Sequence, residues 1–460
     1  MPTRPSRLLT RLLTPPRGIK LALAGALVAS IALPALTHPV YESAVAGPGS
    51  ARTSGGQVTS APLLATAPER RHPQTAPLVA VTRPRWKRRL DRHVAHKNIG
   101  VAVSLDGRRL YYHHARKMRR PASNQKLLLS MALLERFGPH HRIQTRARST
   151  PLDGGVVHGN LWITGHGDPT VSSDPRHARS MLVRPTYVGR LARAIASAGV
   201  EEIEGRVMGG TGYFKHDWDA PGWRSYYRAY YVGLPTALTL NGNIARRQYI
   251  RNPEIRLARA LTERLEKMGV LVSGRPGAGA APARLTPIAQ VSSAPLAKLM
   301  THMNVTSSNF FAEVLGKALG AAVRGPQGSI AKGARILESY ARRAGVRVTA
   351  HDSSGLSHAD RMSARGLIRL LQDAATRPWS TALRHTLASP GRGTLENRLE
   401  GVHVRAKTGT LIDASALSGW VWLRRRSAWA EFSIISRDIP KYRAVEIEDA
   451  IVRKLAGRAA

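Results

Sequence analysis

Pro121-Ala122-Ser123-Asn124-Gln125-Lys126-Leu127-Leu128-Leu129 is the stretch from which the rest of the chain can be read. The apolar spacing of Leu127, Leu128, Met131 and Leu134 predicts a helix, and Gly138-Pro139 ends it. Ser123 and Lys126 stand three residues apart at its first turn, so they share a face. A hydroxyl there sits where the helix dipole favours developing negative charge. Serine alone is a poor nucleophile and needs a base beside it. Lys126 can be that base only when neutral. Its pKa, about 10.4 in a free side chain, must then fall to about 8, at a cost of roughly 3–4 kcal/mol. Burial and a nearby like charge both act in that direction, and Lys407 is the candidate for the charge. Taken alone, Ser-x-x-Lys at a helix start is more often a cap followed by a solvated lysine.

Two further strings, far downstream, change that balance. Ser307-Ser308-Asn309 precedes the apolar run Phe310-Phe311-Ala312 and predicts a helix over 307–319. A second hydroxyl, Ser307, could relay a proton between Lys126 and a leaving nitrogen, as general acid catalysis requires. The Asn309 amide could bond Lys126 and a substrate carbonyl. The plain alternative for this string is helix capping. Lys407-Thr408-Gly409 falls on a predicted strand over 402–408. A cation and a hydroxyl at a strand edge suit a terminal carboxylate through charge-assisted hydrogen bonds. Gly409 removes side-chain bulk where a substrate must approach. Read alone, that string is a strand-end turn.

Each string is weak, but S-x-x-K, S-x-N and K-T-G in this order form one signature. On these residues the chain resembles the penicillin-binding proteins. More narrowly it is similar to the low-molecular-mass class C branch, the D-alanyl-D-alanine carboxypeptidase/endopeptidase family. Gly165-His166-Gly167-Asp168-Pro169-Thr170, Leu238-Thr239-Leu240-Asn241-Gly242-Asn243 and Asp352-Ser353-Ser354-Gly355-Leu356-Ser357 look like family segments too. The wide gap between the first and second motifs separates this branch from the compact β-lactamases. The resemblance implies an α+β transpeptidase domain, an antiparallel sheet flanked by helices, split by an inserted mainly-β domain. It implies a serine D,D-peptidase acting on peptidoglycan stem peptides through a Ser123 acyl-enzyme and acylated by β-lactams. Lys126, Ser307 and Asn309 would share the chemistry, and Lys407, Thr408, Gly409 and Thr410 would bind substrate. The backbone N–H groups of Ser123 and Thr410 would hold the oxyanion, and no cofactor is called for. Ser308 stands where Asp is usual, with its side chain expected to point away from the chemistry. A β-lactamase-like hydrolase and a non-catalytic wall- or polyanion-binding protein on the same fold remain as alternative readings.

The flanking sequence predicts the frame. A basic helix over 83–96, a strand over 99–105, the hairpin signal Asp106-Gly107 and a return strand over 109–113 precede the first motif. Strands over 156–164 and 202–208 and a helix near 187–197 fall between the motifs. Helices over 296–303, 329–344 and 363–375 follow, then strands over 416–424 and 429–435 and a last helix over 441–455. The split peptidase domain is placed at 83–141 and 286–457, and the insert at 142–285. An aromatic- and arginine-rich stretch runs from Trp218 to Tyr231, as either a ligand platform or packing between insert and main domain.

Arg4, Arg7, Arg11, Arg17 and Lys20 precede an apolar run over 21–36, which is the layout of a secretory signal and short for a membrane span. Ala44-Val45-Ala46 precedes Gly47 as a small-residue cleavage site. Residues 1–46 are therefore expected to be a signal peptide or anchor, and 47–82, rich in Ala, Pro, Thr and Ser, a disordered linker. The expected place is the periplasm or cell-wall space. There is no cysteine, which excludes a disulfide framework, thiolate catalysis and a Cys-type zinc site. Seventy Lys and Arg against 29 Asp and Glu give a net charge of +41. A field that positive attracts polyanions. The arginines are scattered, with no basic helix interleaved with aromatics, so no specific nucleic-acid partner is expected. Anionic wall polymers or a membrane surface suit the charge better.

Overall fold

Strand Ile99–Leu105 is buried along its whole length, and its alternation divides it between two cores. Val101, Val103 and Leu105 join Leu417, Val421, Phe432 and Ile434 on one face of a sheet, where helices Arg85–Val94 and Lys441–Ala456 supply Leu90, Val94, Ile451, Val452 and Leu455. Ala102 and Trp420 face the other side, toward helices Gln125–Phe137, Asn309–Arg324, Ile330–Arg343 and Ala364–Ala375. Each large apolar side chain so buried contributes about 1.5–3 kcal/mol. The sheet is antiparallel and five-stranded, in the order Val404–Leu411, Ala414–Leu423, Ala428–Arg437, Ile99–Leu105, Arg108–His113. Asp106 and Gly107 both take positive φ, as the hairpin dipeptide predicts. In this computed structural model residues 84–245 and 248–457 are described; the expectations for 1–46 and 47–82 lie outside them.

The chain leaves this frame at strand Gln144–Ser149 and returns along Thr286–Ser292, which pairs antiparallel with it so that entry and exit lie side by side, Ser292 opposite Gln144. These two strands close a second sheet, in the order Gly277–Gly279, Val207–Gly210, Leu161–Gly165, Gln144–Ser149, Thr286–Ser292. The sheet of the insert therefore takes in residues 286–292, which the sequence reading assigned to the main domain. Two of its pairings are parallel, and helices Val188–Ser197 and Pro253–Glu266 contribute Leu191, Ile195, Leu257, Leu261 and Leu265 to its own core. Helix thus carries more of the insert than a mainly-β reading allows. Pro253 at the first turn and Leu257, Leu261 and Leu265 at helical spacing explain the second of these helices. The predicted strands over 156–164 and 202–208 each break in two, because Gly159-Asn160 and Gly205 turn the chain between their halves. Asp168 of the glycine-rich turn is buried and accepts bonds from Thr170 and Thr186, so that turn ties the insert together.

Candidate active site

Ser123 lies on a single 3-10 turn, Ala122–Asn124, and helix Gln125–Phe137 continues from it. Ala122 is fully buried with φ +47°, a left-handed conformation that costs a residue with a Cβ about 1–2 kcal/mol. The surroundings hold it there. Its carbonyl abuts Gly355, where an added Cβ would lie 1.9 Å from the oxygen, and Gly355 itself has φ +81°. Only glycine fits that contact, so the loop carrying Asp352 to Ser357 is pressed against the turn that presents Ser123.

Lys126 is wholly buried. Its Nζ lies 3.0 Å from Ser123 Oγ, 2.8 Å from Asn309 Oδ1 and 2.7 Å from the Ser354 carbonyl oxygen. Burial pulls its pKa down to about 7, an effect opposed by Asp352 and, when it is ionised, by Glu313. The drop expected for a lysine base is therefore present, with desolvation as its chief cause. The like-charge effect foreseen between Lys126 and Lys407 falls instead on Lys407. Burial, followed by the nearby charges of Lys126 and Lys441, holds Lys407 well below the usual lysine range.

The second motif is built differently from the helix start that its sequence predicts. Ser307 closes helix Leu296–Thr306 in a left-handed conformation, φ +59°. Helix Asn309–Arg324 begins two residues later, capped by Ser308, whose Oγ accepts from the Phe311 N–H at 3.3 Å. Ser308 thus faces the helix end, away from the lysines. The kink between the two helices turns Ser307 toward the third motif, where its Oγ accepts from Lys407 Nζ at 2.9 Å. Asn309 accepts from Lys126 and donates through Nδ2 to the Tyr231 carbonyl at 3.2 Å.

Lys407 lies on Val404–Leu411, the edge strand of the main sheet. It is wholly buried, and its Nζ donates to Ser307 Oγ and to the Thr408 carbonyl. The ammonium that the sequence reading offers to a carboxylate therefore stands behind Ser307. What the edge exposes is Thr410, with Thr408 nearly covered. Ala406 N–H donates outward to the Ala388 carbonyl at 3.0 Å. In an antiparallel strand the same orientation recurs every second residue, which turns the N–H groups of Thr408 and Thr410 to the unpaired side. Gly409 passes the nucleophile turn so closely that a Cβ would meet the Pro121 carbonyl at 2.9 Å.

The insert reaches this site through residues 223–232. Trp223 Nε1 donates to Asp352 Oδ2 at 2.6 Å, and the same carboxylate accepts from the N–H groups of Gly355 and Ser357. Asp352 is thus the organiser of its loop. Tyr227 is buried with Ala122, Val232, Leu356, Leu411 and Ala414, so part of the aromatic stretch is packing. Tyr226, Tyr230 and Tyr231 remain exposed. The motif residues Ser123, Lys126, Ser307, Asn309, Lys407, Thr408, Gly409 and Thr410 come together from three separate segments of the chain. Sequence reading missed the backbone acceptors at Ser354 and Tyr231, the role of Trp223 and the buried Glu313. The first two have no sequence signal, since every residue has a carbonyl. Glu313 was detectable as a carboxylate set in the apolar run Phe310 to Leu319.

The family model for D-Ala-D-Ala carboxypeptidase 3 (S13) matches residues 87–251 and 246–457. A carboxypeptidase of Mycobacterium tuberculosis is 30% identical over 342 residues, covering 69% of this chain and 71% of that one. A D-alanyl-D-alanine carboxypeptidase of Actinomadura is 25% identical over 450 residues, covering 78% of this chain and 81% of the other. Among solved structures, penicillin binding protein 4 of Haemophilus influenzae superposes with a TM-score of 0.68 at 18% identity, over 80% of this chain and 99% of its own, and so has the same fold. Matched along nearly all of its described length, the chain belongs to the D-Ala-D-Ala carboxypeptidase 3 (S13) family of serine peptidases.

Proposed function

We propose that the protein is an exported serine D,D-peptidase that cleaves peptidoglycan stem peptides after the penultimate D-Ala. The observation that carries this reading is a wholly buried lysine amine held between the Ser123 hydroxyl and the Asn309 amide. Ser123 Oγ attacks the D-Ala carbonyl carbon while neutral Lys126 takes the hydroxyl proton. The developing oxyanion meets the N–H groups of Ser123 and Thr410. The proton passes through Ser307 to the leaving nitrogen, the C–N bond breaks, and an ester on Ser123 remains. Water then attacks that ester, giving up its proton along the same path in reverse, and the free serine is restored.

Substrate binding follows from the strand edge. The terminal carboxylate meets the hydroxyls of Thr408 and Thr410, and Lys407 orients Ser307 from behind. A bound carboxylate would also draw Lys407 toward its charged form. The steps concern the acyl side, which is common to carboxypeptidase action, where D-Ala leaves, and endopeptidase action, where a cross-link amine leaves. β-Lactams, which present an acyl carbon and a carboxylate, would acylate the same serine. Release of D-Ala from a pentapeptide ending in D-Ala-D-Ala tests the reading. The wild-type protein is expected to turn over, and Ser123→Ala to lose at least about a thousandfold. Equal release by the two proteins would overturn the assignment.

A further inference from the structure

Glu313 takes no part in the steps above, yet it is wholly buried one helical turn beyond Asn309. Its Oε1 accepts from the N–H groups of Ser353 at 3.1 Å and Ser354 at 2.7 Å. The carbonyl of that same Ser354 accepts from Lys126 Nζ. One helix therefore reaches Lys126 twice, directly through Asn309 and indirectly through Glu313 and the loop. The second oxygen, Oε2, is buried and has no hydrogen-bond partner among the described residues. An ionised carboxylate would leave that oxygen charged and uncompensated, whereas a proton on it removes the cost. The neighbouring Asp352 is bonded differently, with three N–H donors converging on its two oxygens.

We propose that Glu313 is a positioning residue for Lys126, a neutral carboxylic acid that clamps the Ser353–Ser354 peptides and so keeps the Ser354 carbonyl on the lysine amine. This rests on the reading of Lys126 as the base. The titratable groups around it are Lys126 on the first-motif helix, Lys317 one turn further along its own helix, and Asp352 and Asp360. Burial, reinforced by the charge of Asp352, pushes Glu313 up to about 8. A second negative charge there would raise the pKa of Lys126 and make its neutral form scarcer at pH 7.

Glu313→Gln and Glu313→Ala separate clamp from charge. Gln keeps the accepting oxygen and is neutral. Acylation by a fluorescent penicillin near pH 7 is expected to stay within about threefold of wild type in Glu313→Gln and to slow by about tenfold or more in Glu313→Ala, where two buried N–H groups lose their acceptor. The acid limb of acylation set by Lys126 gives a readout that a merely structural role would not move, since it should shift in Glu313→Ala and stay in Glu313→Gln, and thermal unfolding across pH reports the protonation state of Glu313. The folded-state pKa of Glu313 lies above its unfolded value, so its stabilisation is full below the unfolded value and is lost as pH rises to about 8. Gln has no such loss. The Tm of Glu313→Gln relative to wild type should therefore climb from about pH 5 to about pH 8 and then level off.

A flat difference overturns the neutral acid. A Gln variant as slow as Ala overturns it as well, and an Ala variant as fast as wild type overturns the clamp. If Glu313→Ala does not fold, the Glu313→Gln readouts decide. Failure of the underlying reading shows separately, as labelling of Ser123→Ala at the wild-type rate, and the unfolding arm does not depend on Ser123.

Discussion

The two sheets of this protein do different work with different materials. The main sheet is antiparallel throughout, and its three central strands, Ile99–Leu105, Ala414–Leu423 and Ala428–Arg437, run up to 10 residues and are buried on nearly all positions, with the edge strand Arg108–His113 more open. It holds the site directly, since its free edge carries Lys407, Thr408, Gly409 and Thr410. The insert sheet is made of strands of 3 to 7 residues, mixed in direction, with Thr286–Ser292 largely open on its outer edge. It contributes no motif side chain. The insert touches the site through a segment outside that sheet, residues 223–232, above all by the Trp223 bond to Asp352 and the Tyr231 carbonyl that accepts from Asn309. The main domain thus supplies every motif side chain, Ser123, Lys126, Ser307 and Asn309 from helical elements and Lys407 to Thr410 from the sheet edge, and the insert only orients them.

Experiments can break this division, and the largest effect belongs to the main domain. Ser123→Ala should abolish turnover, as stated above. Next comes Leu261→Ala in the core of the insert, where a completely buried leucine becomes a cavity. It should cost about 2–5 kcal/mol of stability, read by denaturant unfolding, while the acylation rate of the folded fraction stays at the wild-type level. If acylation falls together with stability, the insert is more than a support.

Lys126→Met addresses the opposite trade. A lysine depressed to about 7 by burial is destabilising at neutral pH, so the variant should unfold at a higher temperature, by about 1–3 kcal/mol in stability, while losing activity. The same pKa gives the wild type an acid limb. Lys126 is protonated below about pH 7 and free to accept a proton above it, so acylation should rise with pH through that value and then level off. A limb absent between pH 6 and 8 would remove Lys126 from the role of base. The smallest effect is expected at the seam between the regions. Trp223→Phe keeps the ring and removes the bond to Asp352, at about 1 kcal/mol or several-fold in acylation. A loss as deep as that of Ser123→Ala would place the insert inside the chemistry.

The same contrast explains what could be read from the chain. The three long strands, expected over 402–408, 416–424 and 429–435, are found at Val404–Leu411, Ala414–Leu423 and Ala428–Arg437, because short β-prone clusters such as Trp420 to Leu423 and Phe432 to Ile435 lie between turn residues. In the insert the signal is diluted by glycine turns, and two expected strands each became two. Helix Pro253–Glu266 was missed although its Leu257, Leu261 and Leu265 spacing is regular. At the site, side chains announce themselves and backbone does not. Ser123, Lys126, Asn309 and Lys407 were legible. The left-handed Ala122 and Ser307, the Ser354 carbonyl and the placement of Lys407 behind Ser307 depend on contacts between distant segments. Ser307 shows this best. Its neighbours predict a helix start, yet the break between two helices is what turns its hydroxyl to Lys407.

The central claim is that Ser123, activated by a buried neutral lysine, forms a covalent acyl-enzyme. Intact-protein mass spectrometry after exposure to benzylpenicillin, followed by peptide mapping, tests it most directly. The account predicts one adduct per chain, of the mass of the opened antibiotic, on the peptide containing Ser123, and none in Ser123→Ala. An adduct on Ser307 or any other residue, or D-Ala release that persists in Ser123→Ala with no adduct formed, would contradict it.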